Sequence, residues 1–209
     1  MVSDRIERPW VDQRIPEGEV PAEIRLVNEF LNTLDLERFG EHAGKPEEER
    51  EGLRSPERLK TWLVGRGLLG REEVVSEPDR RLAVQLRDAL RSAASANSGP
   101  GRGRSDVVGR GFGELPLVVR FGEGSRPELV SGKGGVKGAL GTILADVVVA
   151  ASRGSWTRMK ICAAEDCRWA YYDHSKSRTS RWCAMETCGN RHKTRRYRRK
   201  KRSSTWQGG

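Results

Sequence analysis

The chain contains four cysteines, and they fall into two pairs of identical spacing: Cys162 and Cys167 in "CAAEDC", Cys183 and Cys188 in "CAMETC". Each pair is C-x4-C, and fifteen residues lie between them. A short loop can aim two sulfurs at one point, and two such loops supply a tetrahedral shell with Zn–S distances of about 2.3 Å. The chemistry indicated is structural metal binding, with one Zn2+ held by Cys162, Cys167, Cys183 and Cys188. Disulfides or unconnected buried thiols are the competing reading, and matched spacing and a reducing compartment both oppose it. His174 and His192 could join a zinc site, but four thiolates already complete one.

Directly after Cys188 comes a cationic run, "RHKTRRYRRKKR". Residues 156–209 hold 15 Lys and Arg against four acids, a net +11, while residues 1–155 carry 24 against 25, a net −1. Charge gathered at one end points to an anionic partner for that end. In a helix these cations surround the axis, leaving Tyr197 as the one large apolar anchor, so no face can enter a protein core. Such a helix frays by self-repulsion unless the metal knuckle nucleates it or an anion orders it; a solvated tail is the alternative. The expected nucleic-acid-binding residues are Arg191, Lys193, Arg195, Arg196, Arg198 and Arg199. About six phosphate contacts would give a slope of log affinity against log salt near −5.

Double-stranded DNA is the expected partner. An RNA-binding or ribosome-associated role is the second reading, because Trp169, Tyr171, Tyr172 and Trp182 lie among Arg168, Arg178 and Arg181 and could stack on unpaired bases. The same aromatics could instead form the miniature core of a segment with few aliphatic residues, where zinc replaces bulk burial. No enzyme is expected: His42, His174 and His192 are the only histidines, no nucleophile–base motif occurs, and the cysteines are committed to metal.

The elements that must position this module lie ahead of it. Residues 1–19 are polar, interrupted by Pro9 and Pro16, and read as a flexible segment. In "VPAEIRLVNEFLNTLDLE", Ile24, Val27, Phe30, Leu31 and Leu34 recur at helical steps. "RFGEHAGKPEEEREG" reads as an acidic loop. In "SPERLKTWLVGRG", Ser55 can cap, Pro56 suits the first turn, and Leu59, Trp62 and Leu63 share a face. In "SEPDRRLAVQLRDALRSAASA", Ser76 and Asp79 form a capping box, and Leu82, Leu86, Ala89, Leu90 and Ala93 form the expected buried stripe. A glycine-rich loop follows over 97–113. Then come two strands, "LPLVVRF" and "RPELVSG", and an apolar helix in "GVKGALGTILADVVVAASRG". "SGKGGVKG" is a turn and not a phosphate loop, since Pro127 and Gly134 stand where that motif needs Gly and Ser or Thr.

The fold class expected is α+β: a mainly helical N-terminal domain with a small antiparallel sheet over 20–155, then a small four-cysteine zinc-finger module ending in a basic helix over 156–209. "RWAYY" reads as a strand of that module and "DHSKSRTS" as its exposed loop. Hydrophobic residues are 35% of the chain and charged ones 33%, polar but not a disordered composition. No run approaches the ~18 consecutive apolar residues of a membrane span, and the first residues lack a signal-peptide pattern. A cytoplasmic location without membrane contact is expected. Asn32 and Thr33, polar beside an apolar stripe, could contact a small effector or satisfy each other's surroundings internally. A module this small binds DNA weakly alone, so a homodimer through the first domain is expected.

The pattern C-x4-C … RWC-x4-CGNR-x-K, together with "YYDHSKS", resembles the CGNR zinc finger, named for residues standing here as Cys188, Gly189, Asn190 and Arg191. Members of that family carry an N-terminal ABATE domain, and here "FLNTLD" resembles its F-x-N-T segment, with "LKTWL" following where expected. The resemblance spans most of the chain and is tightest in the finger. It implies a bacterial transcriptional regulator induced by stress, with the first domain as sensor or dimerisation unit. Gly189 is expected to let backbone amides approach the thiolates. Donors from a helix N-terminus would offset the site's −2 charge. Asn190 is expected to cap or brace, and Arg191 either to brace the module or to make the first phosphate contact.

Overall fold

Burial at three- and four-residue steps builds the first helix of the computed structural model, which describes residues 20–99 and 112–205. The segment 1–19 and most of the glycine-rich loop lie outside the described residues. Helix α1 (Ala22–Leu31) buries Ile24, Val27, Phe30 and Leu31. Leu34 falls outside it, in a single bridge to Glu51. The stretch read as an acidic loop contains a 3-10 turn (Gly40–His42) and a four-residue helix, α2 (Glu47–Arg50). It closes on itself where Gly52 N donates to Thr33 O at 2.7 Å, an approach so near that a Cβ at Gly52 would strike that oxygen.

Helix α3 (Pro56–Val64) begins as its sequence requires, with Ser55 Oγ accepting from Arg58 N and Pro56 in the first turn. It buries Leu59, Trp62 and Leu63. Helix α4 (Glu77–Ala96) opens with the Ser76–Asp79 capping box. Its buried face differs from the expected stripe: Ala83, Leu86, Arg87, Leu90, Arg91 and Ala94 point inward, and Leu82, Ala89 and Ala93 are half-buried. The rotation follows from two arginines with internal partners. Arg87 closes on both Glu51 carboxylate oxygens at 2.5 and 2.8 Å. Arg91 donates to Leu31 O and Arg168 O, each at 2.6 Å. Burial, with Arg87 and Arg168 nearby, pushes the Arg91 guanidinium down to about 10.

Strands β1 (Leu117–Phe121) and β2 (Pro127–Ser131) pair antiparallel, Leu117 opposite Ser131 and Phe121 opposite Pro127. "SGKGGVKG" is the turn into α5 (Gly135–Ser152), which packs on α1 and β2. Gly141 lets α5 sit against Ser131, whose side chain a Cβ there would overlap. By length and composition α5 could cross a membrane, yet half of it is buried within the protein.

A 3-10 turn (Trp156–Arg158) leads into β3 (Met159–Ile161), which pairs antiparallel with β4 (Ala170–Tyr172). The strand in "RWAYY" was legible; β3, three residues long, was not. Met159, Ile161 and Ala170 belong to the same apolar cluster as α1, α3, α4 and α5. The sheet of the C-terminal segment therefore rests on α1 and α4, and the expected boundary between 155 and 156 runs through a shared core. A second, smaller cluster gathers Cys162, Cys167, Cys188 and Tyr171, with Phe39, Trp169 and Trp182 against it. From there a π-turn (Met185–Gly189) runs into α6 (Asn190–Thr205), the basic helix. The architecture is α+β.

Candidate metal centre and nucleic-acid interface

The two C-x4-C loops meet. The ligand atoms of Cys162, Cys167, Cys183 and Cys188 all lie within 4.8 Å of one another. Cys183 Sγ stands 3.7 Å from both Cys167 Sγ and Cys188 Sγ. Four thiolates about 2.3 Å from a central Zn2+ have S···S edges of about 3.8 Å, so the spacing fits that ion. A disulfide needs about 2.05 Å, and all four cysteines are free. Cys162, Cys167 and Cys188 are buried. The four cannot hold their charge alone: the hydrogen bond between them pulls the Cys162 thiol far down and pushes Cys167 far up. Sharing of that kind is relieved by a cation at the centre.

Main-chain hydrogen bonds aim the loops. Cys162 N donates to Trp169 O at 2.8 Å, Ala163 N to Arg181 O at 2.9 Å, and Cys167 N to Ala164 O at 3.0 Å. Tyr171 is buried beside the sulfurs with Trp169 and Trp182 packed round them, while Tyr172 packs on the larger core. His174 is exposed, edge-on to Tyr172, and His192 stacks on Trp182 at 4.6 Å.

Two expectations about the CGNR residues need correction. The amides of Cys188 and Gly189 both donate to Ala184 O and not to sulfur. A Cβ at Gly189 would meet Met185 Sδ, so a side chain there would displace that methionine. Positive charge reaches the sulfurs from a side chain instead: Arg191 Nη2 is 3.9 Å from Cys188 Sγ. The same group pairs with Asp166 Oδ1 at 2.8 Å, and the guanidinium lies over the Phe39 ring, 3.1 Å from its centroid. Arg191 is a brace, tying α6 to the first knuckle loop and to the segment after α1.

Asp166 is the pivot. Its other carboxylate oxygen takes Arg195 at 2.8 Å, and its carbonyl accepts from Arg38 N at 2.8 Å. The segment carrying Arg38 and Phe39 is itself fixed by Asp35, which accepts from Glu37 N, His42 Nδ1 at 2.8 Å and Lys45 Nζ at 3.0 Å. Burial pushes the Asp35 carboxyl up, and these bonds more than offset it, holding it below the ordinary range. Asp35, Glu37 and His42 bring ligand atoms together, but the Lys45 ammonium already sits on Asp35.

Of the six expected nucleic-acid residues, Lys193, Arg196, Arg198 and Arg199 are exposed and form no ion pair among the described residues; Arg191 and Arg195 are held by Asp166. Arg195, Arg196, Arg199 and His192 line one wall of a cleft of about 350 Å³, with Ala163–Asp166 opposite. Asn32 and Thr33 are used internally. Asn32 Nδ2 donates to Ala170 O and its Oδ1 accepts from Ala170 N, both at 2.9 Å. Thr33 Oγ1 donates to Phe30 O at 2.8 Å. Asp166, Phe39 and Arg91 carry no local sequence signal; only the rarity of acids in the basic segment could have marked Asp166.

The fold and the four-sulfur cluster define a zinc-finger protein whose finger is packed against a larger α+β domain. Residues 158–201 match the family described as CGNR zinc finger. Residues 25–153 match the ABATE family, described as "Putative stress-induced transcription regulator", and the chain belongs to that family. No curated protein matches the chain. The arrangement is that of a transcription regulator carrying a metal-binding finger.

Proposed function

We propose that the protein is a bacterial transcriptional regulator that binds double-stranded DNA through α6, with one structural Zn2+ in the four-cysteine centre. The observation that carries this reading is a helix starting at the metal knuckle and presenting Lys193, Arg196, Arg198 and Arg199 without acidic partners among the described residues. Zinc and the Arg191–Asp166 brace fix the first turn, so the cations beyond it extend a helix whose costly nucleation step is already met. Arginines there can reach guanine edges, each good bidentate contact worth about 1–3 kcal/mol.

The zinc is structural: it holds the two loops and the start of α6. The chain's own groups supply everything else, with Asp166 orienting Arg191 and Arg195 and Asn32 setting the finger against α1. The first domain acts as a sensor or dimerisation unit, and its effector binds elsewhere than Asn32 and Thr33. β1 leaves Val119 and Phe121 exposed, an apolar surface that a second copy would cover. The protein works in the cytoplasm, without catalysis of its own.

The test is fluorescence anisotropy of the zinc-loaded full chain with duplex DNA and with structured RNA, in competition at about 150 mM salt. Duplex DNA wins, and log affinity falls against log salt with a slope of about −4 or steeper, about four phosphate contacts from α6 alone giving about −4. Preference for RNA, or a slope near zero, overturns the proposal. Gel filtration giving only monomer, with or without DNA, overturns the dimer.

A further inference from the structure

The loop joining β4 to the second cysteine pair, residues 173–181, contains no aliphatic side chain, yet it is held at many points. Lys160 and Asp173 are an ion pair at 2.7 Å with side chains 3% and 0% exposed. Taking both charges out of water is costly and is sustained only where further hydrogen bonds satisfy them. Here they do. Lys160 Nζ also donates to Arg178 O at 2.5 Å and reaches Ser180 O at 3.4 Å. Asp173 accepts from Ser175 N and Ser180 N, each at 3.0 Å. Arg158 donates to Asp173 O and Ser175 O at 2.8 and 3.0 Å, and Tyr171 Oη to Ser180 O at 2.8 Å.

These bonds have a direction. The carbonyls of Asp173, Ser175, Arg178 and Ser180 all turn inward, the first two to Arg158 in the turn before β3 and the others to Lys160 and Tyr171 of the sheet. The outward surface is left to Lys176, Ser177, Arg178 and Thr179, all exposed. Lys176 and Arg178 form no ion pair among the described residues, and Ser177 and Thr179 hydroxyls lie 2.7 Å apart. Arg178 is held at φ 54°, a left-handed conformation that an arginine adopts only when its surroundings impose it. A loop whose main chain is tied inward and whose outward surface carries two cations and two hydroxyls suits a negatively charged partner.

Its place identifies the partner. Arg181 ends the loop over the Trp182 ring, 5.6 Å from its centroid, and Trp182 stacks on His192 in the first turn of α6. The C-terminal end of the loop, at Arg181, is therefore set beside the first turn of α6 through Trp182.

We propose that residues 174–179 form a second nucleic-acid contact, a preorganised arm in which Lys176 and Arg178 grip the phosphodiester backbone of the duplex bound by α6. This rests on the DNA-binding reading of α6 and adds a contact outside the CGNR helix. Because the buried Lys160–Asp173 pair builds the arm in the free protein, little ordering is required on binding.

The experiment compares the zinc-loaded full chain with Lys176→Ala/Arg178→Ala, titrating one duplex over a range of salt. Both side chains are exposed, so zinc content and thermal midpoint should match the wild type. Losing two phosphate contacts lowers the magnitude of the salt slope by about 2 and weakens binding about 30-fold near 150 mM salt. The exchanged variant Lys176→Arg/Arg178→Lys keeps both charges and restores slope and affinity. An alanine pair that binds like the wild type overturns the arm and leaves the α6 reading standing. A wild-type protein that does not bind duplex DNA, or prefers RNA, overturns both. Loss of binding with an unchanged salt slope also overturns the arm, since it means the loop acts through structure and not charge.

Discussion

Replacing Asn32 with Ala removes the two-point clamp between the end of α1 and the strand β4. Asn32 Nδ2 and Oδ1 meet Ala170 O and N, both at 2.9 Å, and Ala170 is fully buried. Two neutral hydrogen bonds are worth about 1 kcal/mol each in net terms. Alanine at 32 also strands a buried amide and a buried carbonyl, at about 1–3 kcal/mol each if water stays out. Asn32 itself is only half-buried, so water reaches part of the gap, and the expected total is about 2–4 kcal/mol. Asn32→Asp is the sharper test: its carboxylate still accepts from Ala170 N but repels Ala170 O, so it should be at least as damaging although the side chain is the same size. Urea unfolding with excess zinc gives the stability. Hydrogen exchange localises it, with protection lost first at residues 159–172. DNA affinity should drop with no change in salt slope, because no cation has been removed. Stability within about 0.5 kcal/mol of wild type, with exchange at Ala170 unchanged, refutes the claim that this clamp sets the finger on α1.

The metal gives a second expectation. Mass spectrometry should find one zinc per chain, and Cys183→Ser, which leaves three thiolates, should lose most of it together with the circular dichroism of α6. Arg191 and Arg199 should separate cleanly. Arg191→Ala costs about 1–2 kcal/mol of stability through the Asp166 pair and the Phe39 stack, whereas Arg199→Ala leaves stability alone and reduces the salt slope by about 1. Asp146 gives the pH dependence. Burial, with Glu23 nearby, raises its carboxyl from 3.8 to about 6, so the folded chain holds a proton the unfolded chain releases. Stability then falls as pH rises between those values. Asp146→Asn should match wild type below about pH 4 and exceed it by about 1–2 kcal/mol above pH 6, a figure reduced for partial solvent access. A variant no more stable at pH 7.5 than at pH 4, relative to wild type, refutes it.

The sequence by itself determined what is local or repeated. Two equal cysteine spacings fix a four-sulfur site, because five-residue reach is a property of the loop alone. Ser55–Pro56 and Ser76–Asp79 mark helix starts, because capping is settled within one turn. The charge run fixes α6 as solvent-facing, because no core accepts cations on every side. What the tertiary structure decided is which polar groups are occupied by distant partners. Asn32 and Ala170 are 138 residues apart, Arg91 bridges Leu31 and Arg168, and Asp166 gathers Arg38, Arg191 and Arg195 from both halves of the chain. Hydrophobic period cannot see such pairs: it assigned the apolar residues of α4 inward and left Arg87 and Arg91 outside. An arginine is buried when its hydrogen bonds are met, and the acceptors here come from other elements, so only the folded chain could turn that helix and decide which cations remain free for nucleic acid.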